Sequence, residues 1–302
     1  HDKGASSFPE TSPDLRAPEW QVFTQYNPDL NTDDFRIRPT PTLPKRYRDT
    51  LQQVLYVERL REVQAMIGFT RLDALGELTD PDLNIQIDPA PISRGSPTWV
   101  PATEVHGEGI FVQFQEQRLL DWLKRVELRE RETEFILAHE NWRRSHGLEP
   151  AEAGFPGMRY IFLHSFSHAL MRQLALECGY NAASISERIY ARSADMPDGP
   201  MAGILLYTSA PDSEGTLGGL VRLAEASILE RLINQALEDM RLCASDPLCA
   251  EHSPGQSAQT LHAAACHACL FAPETSCERG NKYLDRSLLV PTVQYEALAF
   301  FK

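Results

Sequence analysis

The sequence predicts a mixed α/β fold, rich in helix, that ends in a cysteine-cluster zinc site. Three observations carry that reading. Apolar residues recur at three- and four-residue steps over several long stretches, and short β-rich runs lie between them. A strand, a glycine turn and a helix follow one another after residue 202, an order typical of layered α/β structures. Five of the six cysteines, Cys243, Cys249, Cys266, Cys269 and Cys277, crowd into one window.

Along the chain, residues 1–44 carry Pro9, Pro13, Pro18, Pro28, Pro39, Pro41 and Pro44 with little period, which predicts an extended, Pro-rich arm. Residues 45–153 form an α/β region expected to link lobes and contact a partner. Its first element is an amphipathic helix, with Leu51, Val54, Leu55, Leu60, Val63 and Ile67 on one face and a stop at Gly68. A strand is expected at 83–87 and another at 110–114, followed by one long charged helix from Glu116 to about His146. Glycines and prolines near 147–157 mark a joint, after which 154–302 forms the zinc-binding domain. There, a helix around Tyr160–Leu176 is apolar over most of its circumference and reads as the buried centre. Ser184 followed by Glu187 has the spacing of a capping box and predicts a second helix. A strand over 202–208, a loop over 210–216 and a helix from Leu220 to about Arg241 complete the pattern.

Bulk properties narrow the function. The 302 residues, 42% of them hydrophobic and 24% charged, suffice for two lobes, each with its own core. No stretch approaches the roughly 18 consecutive apolar residues of a membrane helix. The first residue is His1, with no initiator Met and no signal pattern, so the sequence is expected to be part of a longer protein. Clustered cysteines that read as metal ligands and not as disulfides predict a reducing, cytoplasmic setting. A formal net charge of −13 repels a phosphate backbone, so any DNA contact has to be local or supplied through a partner. Local candidates are Lys45, Arg46 and Arg48, and Arg143 and Arg144, although short basic runs are commonly just solvated faces.

The cysteine window reads as metal chemistry. Its spacing is C-x5-C, a gap of sixteen, C-x2-C and then x7-C. Thiolates are soft ligands that suit zinc, and a closed structural site takes four of them, so one of the five is spare. His262 and His267 lie in the same window and could replace a sulfur. Disulfides fit poorly, because they characterise small, cysteine-dense secreted scaffolds. Cys178, alone at a helix end, reads as a small core residue.

Other residues carry weaker signals. His164 and His168 stand four apart on one helix face and could hold a metal, but they also fit a buried, hydrogen-bonded role. Asp212 and Glu214, in the loop after the strand, could be metal-binding carboxylates or simply cap the turn. Together these four would suit a metal-dependent nuclease, the alternative function. The pattern GxxxxGK[ST] is absent, so the sequence contains no ATP-binding P-loop.

Several ordered strings resemble a known family. LHSFSHALMRQLALECGY, ASISERIYA, GILLYTSAPDSEGTLGGLVR, CASDPLC, AACHACLFAPETSCE and LDRSLLV are similar to a helicase-associated domain that ends in an MrfA-type zinc-binding region. VERLREVQAMIGFTRL and WVPATEVHGEGIFVQF resemble the stand-alone form of that domain, the DrmB family of the DISARM anti-phage system. The resemblance implies a non-catalytic subunit that binds a DrmA-like helicase in a hetero-complex and helps engage phage DNA, with ATP hydrolysis in the partner. It implies zinc as the cofactor. Helicase-fused relatives have a shorter cysteine cluster with a Gly-Cys-Pro-x-Cys knuckle, whereas here His267 stands where they have proline. Residues 250–265 form a longer insertion, so the choice among Cys243, Cys249 and Cys277 stays open.

Overall fold

The computed structural model describes residues 14–66, 68–69, 90–95, 98–208, 219–255 and 260–302. Helices and one antiparallel sheet are mixed throughout. In chain order the elements are α1 (Arg16–Thr24), β1 (Phe35–Pro39), β2 (Leu51–Ala65), β3 (Ala102–Phe114), α2 (Glu116–Leu123), α3 (Val126–Ser145), α4 (Gly157–Cys178), β4 (Ile185–Tyr190), β5 (Gly203–Thr208), α5 (Gly219–Arg222) and α6 (Ala226–Arg241). The sheet runs β1-β2-β3-β5-β4 with every neighbouring pair antiparallel. It therefore takes strands from both sides of residue 154.

Its two faces bury different cores. On one face Val54, Tyr56, Ile110, Val112, Ile189, Ile204 and Leu206 pack under α4 and α5. On the other, Leu55, Val57, Phe111, Leu205 and Tyr190 pack with Phe23 of α1 and Ile37 of β1. The alternation along each strand is the two-residue period of a pleated sheet.

Helix α4 is the buried centre that its sequence predicts: Ile161, Phe162, Leu163, Phe166, Leu170 and Leu174 are each 0–1% exposed. It stops at Gly179, whose φ of 69° is the left-handed conformation that glycine adopts at little cost.

Five expectations are corrected. The stretch read as an extended arm contains α1 and the edge strand β1, because Trp20 and Phe23 have an apolar sheet face to cover. The helix expected after residue 45 is the strand β2. Two irregularities in its pairing with β3, between Leu51 and Gln53 and between Val57 and Leu60, stretch a two-residue period into apparent three- and four-residue steps. The long charged helix is two, α2 and α3, separated at Arg125, whose ψ of 144° is extended. The adjoining Trp122 is drawn into the core and donates to the Leu298 carbonyl at 2.8 Å. The helix expected from Ser184 is β4, and the helix expected from Leu220 is α5 and α6 in succession. The strand expected at 83–87 and the loop at 210–216 lie outside the described residues.

Candidate metal centre

Four sulfurs converge where α6 ends. Cys243 follows the last turn of α6, Cys249 sits in a short 3-10 turn, and Cys266 and Cys269 form a tight knuckle. In the knuckle the Cys266 carbonyl accepts from the backbone N–H groups of Cys269, Leu270 and Phe271. The Sγ atoms are 3.6 Å apart for Cys243 and Cys266, 3.9 Å for Cys249 and Cys269, and 3.7 Å for Cys266 and Cys269. All four lie within 4.8 Å of one another. Four thiolates at about 2.3 Å from a tetrahedral zinc are about 3.8 Å apart, so the set fits that ion. Every cysteine is free of disulfide bonding.

The surroundings suit thiolates. Asp246 N–H points at Cys243 Sγ at 3.4 Å, and the Arg286 guanidinium approaches Cys249 Sγ at 3.4 Å. Four thiolates around one zinc carry net negative charge, which this buried guanidinium partly offsets. Burial pushes the Cys249 thiol up to about 11, Arg286 working against it, so the thiol needs a cation to ionise near neutrality.

Arg286 also ties the cluster to the C-terminal segment. Its Nη1 donates to the carbonyls of Met240 and Arg241, at 2.6 and 3.2 Å, which are otherwise open at the end of α6. Beside it, Ala263 N–H donates to the Leu284 carbonyl and Tyr283 N–H to the Leu261 carbonyl, both at 2.8 Å.

Cys277 is elsewhere, with His164, His168 and Glu187. His164 Nε2 is 3.1 Å from its sulfur and 3.0 Å from Glu187 Oε1, and His168 Nε2 is 3.3 Å from the same oxygen. All four side chains are buried. In the absence of metal, burial disfavours charge on both rings, yet Glu187 and Cys277 overcome it and raise His164 to about 9 and His168 well above its ordinary value. Burial would raise the Cys277 thiol, but the two rings bring it down to about 7.

The remaining candidates are scattered. His262 stacks on His252 and His267 lies against Phe271, both away from the four sulfurs. Cys178 is partly buried at the end of α4, its thiol pushed up to about 11 by burial. Arg143 is buried and donates to the Pro150 carbonyl at 3.2 Å, so it does not face solvent as a DNA contact would. Arg144 is exposed and paired with Glu140. Arg46 is held against α6 by Glu230 and Asn234, while Lys45 and Arg48 are exposed. Asp212 and Glu214 lie outside the described residues. The residue that sequence reasoning missed is Glu187, read as a helix cap and found as an inward-facing strand residue. Its signal was the two-residue spacing Ile185, Glu187, Ile189.

Among the described residues no helix is long and apolar enough to cross a membrane. The family description "MrfA Zn-binding domain" matches residues 166–270, a range that includes all four clustered cysteines and ends before Cys277. The chain is 38% identical over 293 residues to DISARM protein DrmB of Bacillus paralicheniformis. That alignment covers 95% of this chain and 49% of the relative, so the chain spans about half the relative's length. The ordered match and the four-sulfur geometry together make this chain a homologue of DISARM protein DrmB with a C-terminal MrfA Zn-binding domain.

Proposed function

We propose that this chain is a non-catalytic, zinc-stabilised subunit of a bacterial anti-phage defence complex, which binds a helicase partner and helps engage phage DNA. The observation that carries the proposal is the 38% identity to DISARM protein DrmB over nearly the whole chain. Zinc is held by Cys243, Cys249, Cys266 and Cys269, and Cys277 is the spare sulfur. The absent P-loop pattern and the net charge of −13 support a division of labour in which a cytoplasmic helicase supplies ATP hydrolysis and most phosphate contacts. A hydrolytic metal needs an open coordination position, and His164 and His168 are 0% and 2% exposed, which disfavours the nuclease reading.

Purification of the chain with the helicase of the same defence system tests the proposal. The two are expected to co-elute, and the helicase is expected to bind DNA more tightly in the complex. Separate elution with unchanged DNA affinity would reject it. A salt titration then locates the contacts: if Lys45 and Arg48 each touch a phosphate, replacing either by Ala lowers the log–log slope by about 0.7–0.9.

A further inference from the structure

One group of side chains outside the four-cysteine cluster is arranged as a coordination sphere. His164 and His168 stand one turn apart on α4, which places both rings on the same face. Glu187 comes from the strand β4 beneath them, and Cys277 from a loop that closes over the end. His164 Nε2 lies 3.0 Å from Glu187 Oε1 and 3.1 Å from Cys277 Sγ, and His168 Nε2 lies 3.3 Å from Oε1. All four ligand atoms fall within 4.8 Å of one another. Two ligands at about 2.0 Å from a tetrahedral zinc are about 3.3 Å apart, and a nitrogen and a sulfur slightly more, so these spacings match to within a few tenths of an ångström.

The outer hydrogen bonds orient the donors inward. His168 Nδ1 is 2.9 Å from the Leu270 carbonyl oxygen, and His164 Nδ1 is 3.3 Å from that of Tyr283. A carbonyl only accepts, so each ring carries a proton on Nδ1, and in its neutral form turns the Nε2 lone pair toward Glu187 and Cys277. Acceptor then faces acceptor, and a cation between them resolves the conflict. Ser167 Oγ donates to Glu187 Oε2 at 2.5 Å, which holds the carboxylate in place. The Cys277 sulfur receives the backbone N–H groups of Arg279 at 3.4 Å and Asn281 at 3.1 Å, an environment suited to a thiolate. Partners of this kind fix metal ligands in position.

We propose that His164, His168, Glu187 and Cys277 form a second metal centre, which takes a divalent ion of borderline softness, zinc foremost. One carboxylate and one thiolate neutralise the ion, so the buried centre carries no net charge. With all four side chains buried, it has no open position for substrate and is structural. It fastens α4 to β4 and to the loop at 277. The inference rests on these side chains alone and is independent of the anti-phage reading.

Metal content and zinc X-ray absorption on the purified chain test it. Two zinc ions per chain are expected, with a mean first shell of between two and three sulfurs per zinc, because a four-sulfur site is averaged with a one-sulfur site. His168→Gln is expected to keep one zinc, now with four sulfurs. One zinc or fewer per wild-type chain would overturn the proposal, leaving a network in which both imidazoles are protonated against Glu187 and Cys277. So would two zinc ions whose shells contain only sulfur. The wild-type measurements decide even if the variant does not fold, and neither depends on whether a helicase binds.

Discussion

Asp285 is 0% exposed, and every polar atom of its side chain is committed. Oδ2 accepts from Arg131 Nε at 2.8 Å, and Oδ1 accepts from the Ser287 backbone and hydroxyl at 2.9 and 2.6 Å. Its own N–H donates to Ser165 Oγ on α4 at 2.9 Å. Arg131 is equally buried, with a further ion pair to Glu134, which is 46% exposed. Removing Asp285 leaves the buried Arg131 with only the exposed Glu134 to offset its charge, and that effect outweighs the net value of the pair itself. Asp285→Ala is therefore expected to destabilise the chain by about 3–5 kcal/mol in urea unfolding. Adding Arg131→Met should recover part of that loss, because the stranded guanidinium is gone. A single-variant loss below about 1 kcal/mol would mean that the pair contributes little.

At the scale of elements, close approach in the sheet sets what the strands tolerate. Gly107 lies where β3 runs past the end of β5, and a Cβ there would meet the Thr208 carbonyl oxygen at 2.1 Å. Backbone cannot step aside as a flexible side chain can, so Gly107→Ala is expected to cost about 1–3 kcal/mol, seen as a lower urea midpoint with an unchanged slope. A midpoint equal to wild type would show that the two strands separate freely there. The same sheet shows which features were legible in the sequence. Helix α4 was, because a helix buried on all sides shows as near-continuous apolar residues, and so was β5, a short apolar run. Strand β2 was not, because its bulges imitate helical spacing. Nor was β4, because Ser184 and Glu187 have the local chemistry of a cap. Only the tertiary position of α4, with two histidines facing the strand, gives Glu187 a reason to point inward.

Over the whole molecule, the C-terminal 40 or so residues fold with neither long helix nor sheet strand, yet they supply Tyr283, Leu284, Leu288, Leu289, Phe300 and Phe301 to the main core. Irregular backbone of this kind is held by cross-links. Here these are the four-cysteine cluster, Arg286 bridging it to the end of α6, and backbone pairs such as Phe300 to Leu288 at 2.9 Å. The cysteine spacing revealed a zinc site but not its membership, because sequence order does not show that Cys277 turns away toward α4. Zinc removal should therefore act on one part of the molecule first. Under a strong chelator, amides over 243–255 and 260–301 are expected to lose hydrogen-exchange protection while β2 and β3, paired over most of their length, retain theirs. The pH dependence follows from the ligands. Zinc holds the cysteines as thiolates, so their folded-state pKa values lie below the unfolded value of about 8.5. The zinc contribution is then present at high pH and lost as pH falls, whereas variants lacking Cys266 should show a smaller acid-dependent step in melting temperature. Loss of protection in β2 and β3 at the same chelator concentration would mean that the zinc supports the entire fold and not its C-terminal part, because strands that depend only on their own pairing have no thermodynamic link to the metal.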